Sequence, residues 1–231
     1  MTYNWSAGLV LLVATVLITK IGRLLAFRHP ALQRMRALNA KMDAPKREMK
    51  RYPPLLHASA RVGLVMNLAF FLLAAPFVVD LISRPLWQYA AEILSILMVF
   101  DFFYYLTHRF LFHGNSLRKI HAVHHQVRRP SHIDALYVHP TETAIGLFLY
   151  MGTALLLPAF FGPFSAISLA VATVVFTQVN IVNHTYFDLP YFPFKTLDYM
   201  TTKHHRHHEN MEMGNYATLT MAYDYLFGTL D

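Results

Sequence analysis

The sequence has no cysteine, which excludes disulfides, thiolate zinc sites, cysteine-held iron–sulfur clusters and a cysteine nucleophile. It is also poor in charge. Only 14% of its 231 residues are Asp, Glu, Lys or Arg, against 55% hydrophobic ones, a balance far from that of soluble globular chains. It carries no glycine-rich dinucleotide fingerprint and no fused haem or flavin domain, so any reducing equivalents are expected from a separate protein. The N-terminus lacks a positive n-region and a small-residue cleavage site, so the first apolar stretch is expected to stay as an anchor. No lipidation signal, solenoid repeat or low-complexity tract stands out. The formal charge of +7 could point to nucleic acid, but the basic residues are not interleaved with an exposed aromatic platform. A juxtamembrane basic segment accounts for them, and no nucleic-acid partner is expected.

What the chain does contain is apolar length. A helix crossing a hydrocarbon core of about 30 Å needs about 20 mostly apolar residues. Five stretches approach that: 6–21, 62–82, 86–107, 143–161 and 164–182. The turns Ser83-Arg84-Pro85 and Gly162-Pro163 close two hairpins. The loop after the first stretch carries Lys20, Arg23, Arg28, Arg34, Arg36, Lys41, Lys46, Arg47, Lys50 and Arg51, and the positive-inside rule puts it in the cytoplasm. By parity 108–142 and 184–231 are then cytoplasmic, and only Arg84 of the charged side chains in the turns falls outside. Tyr3, Trp5, Trp87 and Tyr89 gather at the predicted outer ends, as an interfacial belt requires. Glu92, about two turns inside the outer face, reads as helix-packing polarity.

The expected fold is all-α: a polytopic membrane protein of four to five transmembrane helices, two hairpins plus an N-terminal anchor, under a cytoplasmic histidine-rich helical cap. It would be one membrane-embedded domain, 1–231, with an anchor and basic loop over 1–61 and a core over 62–231, histidine-rich from 100. Two nearly gap-free hairpins argue against a soluble helical bundle. The location expected is a bacterial inner membrane or the endoplasmic reticulum, with the site on the cytoplasmic side.

Of the 14 histidines, His29 and His57 lie in the basic loop and read as surface residues. The rest fall into groups, and neutral imidazole is the commonest nitrogen ligand for iron, copper and zinc. His108 and His113 form an HxxxxH pair; five residues do not stack on a straight helix, so the pair needs a bend near Phe112, or two different metals. His121, His124 and His125 form HxxHH, whose i, i+3 and i+4 positions predict a helix presenting three imidazoles on one face. Asn180 and His184 form an i, i+4 pair, and His204, His207 and His208 make a second HxxHH, with His205 outside the pattern. About nine imidazoles exceed what one metal accepts, so two metal ions are implied.

The order of motifs resembles the membrane fatty acid hydroxylase and sterol desaturase superfamily. The resemblance runs from Phe100 to Asp231. It takes in the approach from Asp101 to His108, the HxxxxH and HxxHH groups, His139-Pro140-Thr141-Glu142, and the closing Asn215-Tyr216 and Asp224 to Thr229. It implies a di-iron centre held by His108, His113, His121, His124, His125, His184, His204, His207 and His208, which would also be the catalytic set. Asn180 matches a position that is a water-linked asparagine in acyl desaturases and a histidine in some hydroxylases. The implied activity is an O2-dependent monooxygenase that hydroxylates or desaturates a C–H bond of a membrane lipid, a fatty acyl chain or a sterol. Electrons would come from a cytochrome b5-like or ferredoxin-like partner.

Around these residues, Asp101, Tyr104, Tyr105 and His108 share a stripe at i, i+3, i+4 and i+7. Asp101 could accept the free N–H of a ligand histidine, or pair with a neighbouring basic side chain. Tyr105, His139 and Glu142 are further candidates to support the ligands, although Glu142 near a helix start also suits the dipole. Arg118, Lys119, Arg128 and Arg129 read as contacts for anionic headgroups or an acidic electron donor. Phe70, Phe71, Met98 and Phe176 could line a substrate path, with packing the simpler reading. Two other classes remain open: a membrane zinc hydrolase, for which Glu142 is the one good general base, and a metal transporter, whose ligands should sit at the bilayer midplane.

Overall fold

Five helices are long and apolar enough to cross a membrane: Trp5–Ala26, Tyr52–Phe77, Leu86–Phe112, Pro140–Phe161 and Ala166–His184. The structure is a computed structural model that describes residues 2–231. In chain order the helices are α1 (Trp5–Ala26), α2 (Pro30–Arg47), α3 (Tyr52–Ala69), α4 (Leu86–Thr107), α5 (Arg118–His121), α6 (Pro140–Leu156), α7 (Pro158–Phe161), α8 (Ala166–His184), α9 (Lys195–Glu209) and α10 (Ala222–Leu226). The two-residue strands β1 (Val79–Asp80) and β2 (Phe164–Ser165) pair in parallel.

The second span starts ten residues earlier than its hydropathy suggests. Pro53 and Pro54 occupy the first turn of α3, where a missing N–H costs nothing and the fixed φ is already helical. At its other end the helix continues only to Phe77, because the chain turns into β1. That end is held by polar contacts. Arg84 pairs with Asp80 at 2.6 Å and Glu92 at 2.8 Å and donates to the Pro163 carbonyl at 2.7 Å, so one guanidinium ties both hairpin turns together. Glu92 also accepts from the Ser165 amide. Asn4 reaches the same level, its amide donating to Pro76. Gly8 permits the approach of α1: a Cβ there would lie 2.7 Å from the Pro76 ring. Beyond Ala7, Gly8 and Leu11, α1 buries nothing.

The basic segment, read from sequence as a loop, is largely the helix α2. His29 caps it, its Nδ1 accepting from the Ala31 amide, and Pro30 sits in its first turn. Ala31, Met35, Asn39 and Asp43 recur every four residues and are its buried side chains. Ala31 and Met35 pack on Leu189 and Phe194. Asn39 bonds Tyr186 through both its amide and its carbonyl and also accepts from the His132 amide. Asp43 accepts from Ser131 and Ile133, and Lys46 pairs with Asp134. The helix thus lies across the histidine-bearing end as a strap, with Arg34, Arg36, Lys41 and Arg47 outward and Asp43 and Lys46 turned in.

Candidate metal centre

Residues His108–Phe112 form a π turn continuing α4, in which the His113 amide bonds the His108 carbonyl at 2.9 Å. This i to i+5 bond widens the helix so that residues five apart come onto one face. The spacing that fits no straight α-helix is therefore accommodated without a break, and both rings serve one cluster. The first HxxHH departs from expectation. It is no regular helix: α5 ends at His121 and His124–Gln126 is a 3-10 turn. The rings are drawn apart by different partners, Glu142 for His121 at 2.9 Å and the Tyr137 carbonyl for His124 at 3.0 Å, and these tertiary bonds outweigh helical continuity. The second HxxHH does lie on a helix, α9.

Two buried clusters result. His108, His113, His121, His125 and His207 form one; His124, His184, His204 and His208 form the other. Within each, one potential ligand atom per residue lies within 4.8 Å of the others. The clusters abut, the rings of His125 and His208 stacking at 4.9 Å.

The ring tautomers follow from the partners. Nδ1 of His108, His113, His124, His184, His207 and His208 faces the carbonyls of Tyr216, Met211, Tyr137, Asn180, Gly214 and Val127, and a carbonyl only accepts. Those six nitrogens must carry the proton, and so does His121 Nδ1 where the Glu142 carboxyl is ionised. Their Nε2 atoms are then bare lone pairs, yet they converge: His108 and His121 at 3.0 Å, His207 and His108 at 3.2 Å, His124 and His184 at 2.9 Å. His113 Nε2 and His208 Nε2 are buried with no partner at all. Lone pairs facing one another in a dry interior want a cation between them, and an all-nitrogen set of this size suits two transition-metal ions. The rings are also neutral. Burial, followed by the neighbouring imidazoles, pushes His121, His124, His204 and His208 well below the ordinary histidine range, and burial brings His207 to about 3.

Asn215 helps set two of these acceptors. It adopts a left-handed φ of 63°, which asparagine tolerates better than most residues, and the carbonyls on either side of it, Gly214 and Tyr216, hold His207 and His108. Backbone acceptors leave no side-chain signal, so none of the six carbonyl partners could be read from sequence as such; Asn180 and Tyr216 were singled out, but not for their carbonyls.

Of the supporting residues expected, Glu142 meets a ring and the others do not. Asp101 touches no histidine and no basic side chain; it accepts from the amides of Thr218, Leu219 and Thr220 and from the Thr220 hydroxyl, fastening the C-terminal segment to α4. Tyr105 does the same, bonding Thr229 and stacking on Phe227. His139 caps α6, accepting from the Thr141 amide. Asn180 gives its carbonyl to His184 and lines the cavity described next. His205 belongs to neither cluster; burial pushes it down to about 4. His29 and His57 are exposed.

A cavity of about 460 Å³ runs from the rings down between α3, α4, α6 and α8. Rings of both clusters form its polar end, and Phe100, Phe176, Leu64, Leu147 and Ile181 its apolar walls. Phe176 both lines it and stacks on Tyr150 at 4.3 Å, whereas Phe70 and Phe71 only pack. On the far side a second recess, bounded by Arg51, Gln126, Arg128 and Glu209, reaches His125 and His208.

Comparison with known proteins agrees with this arrangement. Residues 93–229 match the fatty acid hydroxylase family model. Methylsterol monooxygenase 1 of Rattus norvegicus is 32% identical over 149 residues, 63% of this chain and 48% of that protein. Methylsterol monooxygenase 1 of Danio rerio is 26% identical over 206 residues, 87% of this chain and 68% of that protein. Protein CER1-like 2 of Arabidopsis thaliana is 29% identical over 178 residues, 73% of this chain and 29% of that protein. The chain spans about half the length of the methylsterol monooxygenase from rat, and less of the CER1-like protein. No solved structure matches it. Since the matched stretch takes in every clustered histidine and more than half of the chain, the protein belongs to the fatty acid hydroxylase family.

Proposed function

We propose that the two clusters hold a pair of iron ions and that the protein, as one membrane-embedded unit, uses them to oxidise a C–H bond of a membrane lipid with dioxygen. His108, His113, His121, His125 and His207 would hold one ion; His124, His184, His204 and His208 the other, with the Asn180 side chain beside it. Bound there, the pair supplies the oxidising power for C–H + O2 + 2 e− + 2 H+ → C–OH + H2O. The observation that carries the reading is the continuity of converging nitrogen lone pairs with an apolar cavity between helices long enough to span a bilayer. Relatives named methylsterol monooxygenase support a lipid substrate.

The chain's own contribution is positional. The acceptors on Nδ1 hold each ring at a fixed angle, the usual means of orienting metal-bound histidine. Phe100, Phe176 and Leu147 keep water from the reacting carbon and shape the path from the bilayer. The basic strap argues for a cytoplasmic face, and the recess beside Arg51 and Arg128, which reaches His125 and His208, is where a separate electron donor would dock. The test is metal analysis of anaerobically purified protein followed by lipid product analysis with and without oxygen. Two irons per chain and an oxygen-dependent lipid product are expected. One zinc with oxygen-independent turnover would replace this reading with a hydrolase.

A further inference from the structure

The carbonyls behind the two clusters come from different parts of the chain. In the first cluster, His108, His113 and His207 donate to one short stretch, to Tyr216 at 2.6 Å, Met211 at 2.7 Å and Gly214 at 2.7 Å. No ring of the second cluster uses that stretch: His124, His184 and His208 face the carbonyls of Tyr137, Asn180 and Val127. Residues 211–216 form neither helix nor strand, so no ladder of their own holds these acceptors in place.

The following segment, 224–231, holds them instead. The buried Asp224 carboxylate accepts from the Tyr216 and Ala217 amides, each at 2.8 Å, and from the Thr229 hydroxyl. The Thr229 carbonyl accepts from the Asn215 amide at 2.8 Å, and the Asp231 side chain accepts from the Gly214 amide. Four consecutive amides, 214–217, thus all donate to this segment. The approach requires glycine, since a Cβ on Gly214 would lie 1.9 Å from the Thr229 carbonyl oxygen. The segment is itself fastened to α4, where Thr229 meets the Tyr105 hydroxyl at 3.1 Å and the Tyr223 hydroxyl donates to the Met98 carbonyl at 2.9 Å.

We propose that residues 224–231 are a latch that positions one metal ion of the pair and not the other, with Asp224, Thr229 and Asp231 as positioning residues that touch no histidine themselves. This rests on the two-ion reading and deepens it. By fixing the amides of 214–217 the latch fixes the Gly214 and Tyr216 carbonyls, and these set the direction in which the Nε2 lone pairs of His207 and His108 point. A partner of this kind is worth about 10–100-fold in metal affinity. Because the second cluster draws its carbonyls from elsewhere, loosening the latch weakens one site and spares its neighbour. The two ions are therefore unequal by construction, although both are held by imidazole alone.

The test uses the full chain in lipid nanodiscs, loaded without oxygen with ferrous iron enriched in the Mössbauer isotope. Iron content, the Mössbauer spectrum and the rate of iron release to a chelator are read together. Gly214→Ala keeps the carbonyl that holds His207 but pushes the latch away, and one ion should leave at least about tenfold faster while the other keeps its wild-type rate. In the spectrum one doublet should change and the other stay. Asp231→Ala, at an exposed position where folding is not at stake, should do the same to a smaller extent. Asp231→Asn keeps an acceptor for the Gly214 amide and should restore both rates and both doublets, which a general loss of stability would not predict. Equal acceleration of both ions, no change in either variant, or failure of Asp231→Asn to rescue would overturn the proposal. Wild-type protein that holds a single ion would defeat the two-ion reading and the latch with it. Two ions of which one responds, without an oxygen-dependent lipid product, would defeat the oxidase reading and leave the latch standing.

Discussion

Residues 121–125 and residues 204–208 carry imidazoles at the same spacing on different backbones, the first on a four-residue helix and a 3-10 turn, the second inside the fifteen-residue α9. Each nevertheless divides its rings between the two clusters: His121 and His125 with His207 in one, His124 with His204 and His208 in the other. The helix carries the backbone of its rings on its own ladder of hydrogen bonds. The irregular set borrows its rigidity, because Tyr137, whose carbonyl holds His124, stacks on Tyr52 at 4.0 Å and ends a turn that Asp43 and Lys46 of α2 pin from above. A shared motif therefore does not mean a shared mode of support.

The largest effect should come from removing a ring from either set. His124→Ala and His207→Ala should each lower bound metal from two ions towards one and cut oxygen-dependent product formation by more than the roughly 10–100-fold seen when only a supporting group is lost. Elemental analysis and product assay check both, and retention of two ions in either variant would break the cluster assignment. Next, stripping the metal with a chelator should raise hydrogen exchange more over 118–137 than over 195–209, because a ligand-bound loop opens more readily than a helix with its own ladder. Equal protection of both would mean that the loop is as self-sufficient as α9. Asp43→Ala should leave the Ile133 amide without its acceptor and Ser131 with Asp134 alone, lowering unfolding stability by about 1–3 kcal/mol and loosening 118–137 before α9; thermal unfolding with exchange mapping reads both. The smallest effect is expected at His205, within α9 yet outside the clusters: His205→Gln should keep two metal ions bound.

Much of this was legible beforehand because the signals were local. Apolar length marks the spans, and histidine spacing marks the clustered rings without any knowledge of the fold. The failures have one physical source. Asp101, Tyr105 and His139 sit where periodicity or proximity in sequence suggests support for the metal site, but a polar side chain takes whatever partner the tertiary structure delivers. For Asp101 that is three amides of a segment more than a hundred residues away. The basic segment was misread as a loop because its mean hydropathy is low, while the pattern that makes it a strap, Ala31, Met35, Asn39 and Asp43, mixes apolar and polar residues. In the same way the carbonyls of Met211, Gly214 and Tyr216 do essential orienting work that any residue type could perform.

The convergence of bare nitrogens has a consequence for biogenesis. With no ion between them, unprotonated ring edges face one another at about 3 Å with nothing to relieve the repulsion. If the clusters hold ions as proposed, their capture removes that repulsion, and loading should favour the packed arrangement of the rings. Protein made without its metal should then be more sensitive to protease across the histidine-bearing end than protein loaded with it.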